Sequence, residues 1–145
     1  MVIPPVFVDL PPQHQVCLVQ AVRDYNIPML GMLSVLAVEG SKVGVATKNN
    51  NGTLDHGPFA INTHWTNKFQ QWFGVSESDV RNNFCTNAKA AAYVLRYEIN
   101  RAKGDFWKGV GRYHSPNESK AQDYRLKVKY ASEVIYAREQ QRSYR

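Results

Sequence analysis

The chain has 145 residues, of which 43% are hydrophobic and 12% aromatic, so it is the size of one domain and can form a core. No apolar run reaches the roughly 18 to 20 residues of a membrane-spanning helix, because Gly31, Ser34 and Glu39 interrupt the longest candidate. The formal charge of +6 and the pI near 9.4 suit either an anionic partner or a solvated basic surface, and much of the excess follows Lys120.

The N-terminus, residues 1–12, contains four of the seven prolines and is expected to form an extended arm over the surface. The compact domain is therefore predicted over residues 13–145. The first 15 residues lack the basic and apolar regions of a secretory signal, which leaves the cellular compartment open. Cys17 and Cys85 have no CxxC partner, so they are either bridged or two buried thiols. A bridge closing a loop of about 70 residues would add roughly 4 kcal/mol and would imply an oxidising compartment.

Helical periodicity predicts a helix over residues 14–26 and, after an interruption at Ile27, a second helix that starts at Pro28. The second helix is apolar nearly all round, as core helices are. Gly40 is expected to end it, which puts Glu39 at the helix C-terminus. Apolar surroundings and the negative end of the helix dipole both oppose ionisation of Glu39. The sequence thus favours a general acid here, although a solvated glutamate at a helix end is the commoner arrangement.

Between residues 43 and 62 the composition turns polar, and Asn-Asn-Asn-Gly at 49–52 predicts a turn at a hairpin tip or in an irregular loop. Helical spacing then resumes over residues 63–74, and Ser76 with Asp79 forms a capping-box-like helix start. Two longer helices follow, with apolar stripes at Ala88, Ala91 or Ala92, Leu95 and Ile99, and at Ala121, Tyr124, Val128, Ala131 and Ile135. The predicted fold is mainly α (α+β) with a small β-hairpin or loop region around residues 43–62.

Two further segments contain side chains suited to chemistry. In "DHGPFAIN" a glycine between polar residues allows a close approach of the backbone, and Asn62 follows; a tight turn with a helix-capping Asn is the alternative. In "VGRYHSPN", interpreted as a loop, the Tyr113 hydroxyl could bond a carboxyl and His114 could titrate; a core Tyr and an exposed His are the alternative.

Four segments, Glu39-Gly40-Ser41, "NNNGTLDHGPFAIN", "CTNAKAAAYVL" and "GRYHSP", resemble the lytic transglycosylase domain in order and approximate spacing. The resemblance covers roughly residues 17–116. It is closest to the small specialised enzymes of type III and type IV secretion, conjugation and pilus systems. It implies a lysozyme-like fold, a disulfide between Cys17 and Cys85, and a periplasmic or secreted location.

By this resemblance Glu39 is the sole catalytic acid and base. It protonates the glycosidic oxygen between N-acetylmuramic acid and N-acetylglucosamine, then deprotonates the muramic 6-hydroxyl to close a 1,6-anhydro ring. Tyr113 is expected to orient Glu39, and Asn87 to secure the long helix to the core. The residues expected to hold the glycan are Ser41, Phe59, Ala60, Ile61, Asn62, Tyr113 and His114.

Two departures from the family pattern affect these expectations. Gly40 separates Glu39 from Ser41, and Ala60 stands where the family has a glutamine. The loss of one neutral hydrogen bond to sugar costs about 0.5 to 1.5 kcal/mol, so weakened or altered glycan binding is expected.

Three other functions are compatible with the sequence. Asp55 is a possible second carboxylate, which would position water in a lysozyme-like hydrolase. A non-catalytic wall-binding or assembly module is the second, and a basic nucleic-acid-binding protein, based on charge alone, is the third and ranks last. The expected partners are peptidoglycan strands and components of an envelope-spanning machine, bound by a monomer, with no nucleic acid. No cofactor or metal is expected, because His14, His56, His64 and His114 show no pairing at helical spacing.

Overall fold

The protein, seen in a computed structural model that describes residues 5–143, is mainly helical with one small antiparallel sheet. The helices are α1 Pro12–Tyr25, α2 Met29–Glu39, α3 Thr63–Phe73, α4 Glu77–Asn82, α5 Phe84–Arg101, α6 Phe106–His114 and α7 Glu118–Ser143. The strands are β1 Ala46–Lys48, β2 Leu54–His56 and β3 Ile61–Asn62. The prediction of a mainly α fold with a small β region is confirmed.

Helix α5 lies at the centre of the fold and packs against α1, α4 and α6, while α7 packs against α2 and α6. Its predicted apolar stripe is buried, and so is the predicted stripe of α7. Within the described residues, no helix combines the length and the apolar character that crossing a bilayer would require.

A disulfide joins α1 to α5. Cys17 and Cys85 are bonded, with their Cα atoms 5.1 Å apart. Of the two alternatives that the sequence left open, the bridge is therefore the one present. It cross-links two helices that also share the apolar core.

The helix ends follow local sequence signals. Gly40 ends α2 in the left-handed conformation at φ +59°, and its N–H donates to the Leu36 carbonyl at 3.0 Å. The Ser76 side chain caps α4 by accepting from the Asp79 N–H at 3.0 Å. The predicted end of α2 at Gly40 is confirmed and fixes Glu39 as its last residue; of the predicted capping box, the Ser76 N-cap is the part that the structure shows.

The sheet is a hairpin of β1 and β2 extended by β3. Ala46 pairs with His56, and Asp55 pairs with Asn62. The Asn-rich loop closes the hairpin, with the Asn49 N–H bonded to the Thr53 carbonyl at 2.8 Å. The predicted turn is thus confirmed as a hairpin tip, and the pairing of β2 with β3 brings Asp55 beside the start of α3.

The expectation of an extended arm over residues 1–12 is corrected within its described part. Residues 7–9 form a 3-10 helix, α1 already begins at Pro12, and Val6 is completely buried. An apolar side chain this close to the core is more stable inside than on the surface. The rest of the arm, residues 1–4, lies outside the described residues.

Candidate active site

Glu39 lies at the edge of a cleft of about 460 Å³. The cleft runs between the end of α2, the hairpin and the ends of α3 and α6 that face it. Its walls include Glu39, Asp55, Ala60, Asn62, Trp65 and Tyr113. The first acid suggested by the sequence therefore faces a cleft with a mixed polar and apolar lining.

Glu39 keeps a substantial protonated fraction, about half, at neutral pH. Burial is the main cause, and it raises the pKa of Glu39 to about 7 from an ordinary value of 4.5. That value also includes contact with the Tyr124 hydroxyl, which lowers the pKa, the charge of Asp55, which raises it, and the charge of Lys127, which lowers it. A carboxyl with this pKa can both donate and accept a proton near pH 7.

The tyrosine beside Glu39 is Tyr124, and the assignment of that role to Tyr113 was wrong. The Tyr113 hydroxyl donates its proton instead to the Phe59 carbonyl at 2.7 Å, so it has no proton left to donate to Glu39. Tyr124 projects from the buried face of α7, and its hydroxyl interacts with Glu39 outside standard hydrogen-bond geometry and meets no other partner. The Tyr113 and Tyr124 rings stack with centroids 6.4 Å apart, so Tyr113 supports the residue that contacts the acid.

Asp55 is the second carboxylate on the cleft wall. Its Oδ1 accepts hydrogen bonds from the side-chain amides of Asn49 at 3.1 Å and Asn62 at 2.9 Å. The Asn62 amide also donates to the Thr53 hydroxyl at 3.0 Å. Asp55 is therefore fixed in one orientation by the hairpin, and its charge acts on Glu39 across the cleft.

Asn87 fixes the start of the segment from Phe59 to Asn62 through hydrogen bonds on the side away from the cleft. The Asn87 Oδ1 accepts from the Phe59 N–H at 2.8 Å, and its amide donates to the His56 and Val80 carbonyls. Gly57 gives this amide room, since a Cβ at Gly57 would lie 2.3 Å from the Asn87 Nδ2. The expectation that Asn87 secures the long helix is confirmed.

The predicted glycan-binding residues divide into two groups. Ala60, Ile61, Asn62, Tyr113 and His114 line the cleft. Phe59 does not, because its side chain is completely buried and its backbone N–H and carbonyl are both bonded within the protein. Ser41 does not line the cleft either, because the chain turns away at the left-handed Gly40.

Two local features differ from what the sequence suggested. Tyr113 and His114 end α6 rather than lying in a loop, and the His114 ring stacks on Tyr124 with centroids 4.7 Å apart. Burial lowers the pKa of His114.

Ala60 adopts φ +55°, a left-handed conformation that costs a non-glycine residue roughly 1 to 2 kcal/mol, and this strain lies on the cleft wall.

Sequence reasoning missed Tyr124, Trp65 and Lys120 as residues of the site. The apolar stripe of the last helix predicted that Tyr124 is buried. A buried tyrosine hydroxyl requires a polar partner, and this requirement was the signal that could have pointed to a site. Trp65 was treated only as part of an apolar helix face, yet its ring reaches the cleft and contacts Tyr97 at 5.1 Å between centroids.

No known protein-family model matches this chain, and no curated protein matches it significantly. Among residues 5–143, no three His, Cys, Asp or Glu side chains are grouped as a metal site would require. The chemistry of the site therefore has to be argued from its own side chains.

Proposed function

We propose that this protein is a peptidoglycan lytic transglycosylase with a lysozyme-like fold and Glu39 as its only catalytic acid and base. The observation that carries the proposal is a single carboxylic acid with a pKa of about 7 on the wall of a cleft of about 460 Å³. A group that has to give a proton and later take one back works best when its pKa is near the working pH.

The proposed reaction needs no water. Glu39 donates its proton to the oxygen of the bond between N-acetylmuramic acid and N-acetylglucosamine, and that bond breaks. The resulting carboxylate then takes the proton of the muramic 6-hydroxyl while that oxygen bonds to the anomeric carbon. The products are a free sugar hydroxyl and a 1,6-anhydro end, and Glu39 is protonated again.

A hydrolase is the second candidate, and Asp55 is the observation that favours it. This carboxylate is on the wall of the same cleft and is held rigidly by two amides. In a hydrolase it would orient water or stabilise the charged sugar. In the transglycosylase it would act only through its charge, by keeping Glu39 protonated.

Product analysis of wild type, Glu39→Gln and Asp55→Asn on purified cell wall tests the proposal. We expect anhydro-muropeptides from wild type, none from Glu39→Gln, and reduced yield of the same products from Asp55→Asn. Glu133→Gln, which removes an exposed carboxylate on α7, is the matched control and should behave like wild type. Reducing ends in place of anhydro ends would favour the hydrolase. Retention of biological function in Glu39→Gln would favour a non-catalytic wall-binding module.

The disulfide and the basic charge support a role in the cell envelope. A Cys17–Cys85 bridge is compatible with an extracytoplasmic compartment. A net charge of +6 favours contact with an anionic wall. We infer that the enzyme opens the wall locally so that a larger secretion, conjugation or pilus machine can pass through.

A further inference from the structure

The cleft has a continuation on the other side of Glu39. A second cavity of about 290 Å³ shares Glu39, His114 and Lys120 with the main cleft. Its remaining walls are Val38 at the end of α2 and Asp123, Tyr124 and Lys127 on α7. The acid thus stands between two cavities, and α7 forms most of the second.

The second cavity carries more positive than negative charge when the acid is protonated. Lys120 and Lys127 are on its walls, and Asp123, between them on the same helix, is the other carboxyl residue among the described lining residues besides Glu39. Lys127 lowers the pKa of Glu39, and both lysines lower that of His114, so their ammonium groups act on the inside of the cavity. Protonated Glu39 and neutral His114 add no charge.

The geometry of α7 fixes the spacing of the two lysines. They are seven residues apart, which places them on the same helix face at a separation of about 10 Å along the axis. Tyr124 lies between them and is buried against α2, so this stretch of the helix is anchored. The two ammonium groups can therefore flank one bound sugar residue.

We propose that Lys120 and Lys127 bind a carboxylate carried by the glycan next to the bond that is cut. This inference rests on the proposed function and adds to it two residues that would recognise the acidic positions of the glycan. The charge of the second cavity is complementary to such a substituent and gives a neutral sugar no advantage.

Binding measurements with Glu39→Gln protein, which holds substrate without cutting it, test the inference. The probes are a neutral chitooligosaccharide, amidase-treated wall strands that retain only the lactyl carboxylate, and strands with intact stem peptides. Lys120→Ala combined with Lys127→Ala is compared with Lys89→Ala combined with Lys129→Ala. The control pair has the same charge change at exposed positions outside both cavities.

We expect the Lys120 and Lys127 pair to weaken binding of acidic strands about three- to tenfold, since exposed ion pairs each contribute little. Chitooligosaccharide binding and the control pair should change less than about twofold. Loss for the amidase-treated strands alone assigns the lactyl carboxylate, which is bound in an amide wherever a stem peptide is attached. Loss for peptide-bearing strands alone assigns a carboxylate of the stem peptide, and loss for both acidic probes means that the two lysines bind either carboxylate. Equal losses on neutral and acidic probes, or equal losses in the two pairs, would overturn the inference.

Two further measurements identify the cause of a negative result. A salt titration makes the test independent of a folding defect in the lysine variant, and product analysis separates a failure of the proposed function from a failure of the inference. Added salt should weaken binding of acidic strands by Glu39→Gln protein that keeps both lysines, so this measurement does not depend on the folding of the lysine variant. Absence of anhydro products from wild type, with the binding preference intact, would reject the reaction and keep the site. Anhydro products with no binding preference would reject the site alone.

Discussion

Replacing Glu39 by glutamine should stabilise the folded protein at alkaline pH and have little effect at acid pH. The pKa of Glu39 is about 7 in the fold, against an ordinary value of 4.5. The folded state therefore binds this proton more tightly than the unfolded chain does. The stability that the protonated side chain contributes is complete below pH 4.5 and is lost as the pH rises through about 7.

The size of the effect follows from these two values. The difference between 4.5 and about 7 corresponds to about 3 kcal/mol of unfolding free energy. Glutamine keeps the shape of the protonated acid but never ionises, so it avoids that loss. For a domain of this size the Tm of Glu39→Gln should exceed that of wild type by about 6 to 12 °C at pH 8.

Thermal unfolding followed by circular dichroism at pH 4, 6 and 8 measures this difference. Glu133→Gln is the control, since it removes a carboxylate that is exposed on α7. Its Tm difference from wild type should stay small at every pH. If Glu39→Gln showed the same Tm difference at pH 4 and pH 8, the acid could not be held protonated by burial, and the catalytic argument would lose its basis.

Three other substitutions test parts of the site and its support. Tyr124→Phe removes a contact that lowers the pKa of Glu39, so the alkaline limb of kcat/KM on cell wall should move up by about 0.5 pH unit; an unchanged limb would refute the contact. Asn87→Ala removes three buried hydrogen bonds and should cost about 3 kcal/mol in denaturant unfolding, whereas a loss under about 1 kcal/mol would show that solvent replaces them. Cys17→Ser with Cys85→Ser should cost about 4 kcal/mol, and reductant should then destabilise only wild type; equal sensitivity of both proteins would argue against the bridge as the cause.

The parts of the fold that depend on neighbouring residues were predictable from sequence. Gly40 and Ser76 mark helix ends because their own backbone and side-chain chemistry satisfies the terminal groups. The buried stripes of α5 and α7 follow from helical periodicity alone. Asn-Gly at 51–52 predicts a turn from the backbone preferences of these two residues, independently of the surrounding fold.

The parts that depend on how distant helices pack were not predictable. Tyr113 and Tyr124 both end near Glu39, and only the docking of α7 on α2 decides which hydroxyl meets the acid. Ser41 follows Glu39 closely in sequence, but the left-handed turn at Gly40 takes it out of the cleft. The burial of Val6 was not predictable for the same reason. The proline content of the N-terminus indicates an extended segment, but it does not indicate that Val6 packs into the core.

The docking of α7 also determines when, during synthesis, the surroundings of Glu39 become complete. Glu39 leaves the ribosome long before α7, which packs on α2, and until α7 docks, that side of the carboxyl is not buried. A nascent or truncated chain that ends before residue 118 would thus contain the glutamate without the environment that makes it an acid. If the proposed function holds, such a chain would not cleave the wall until α7 had docked.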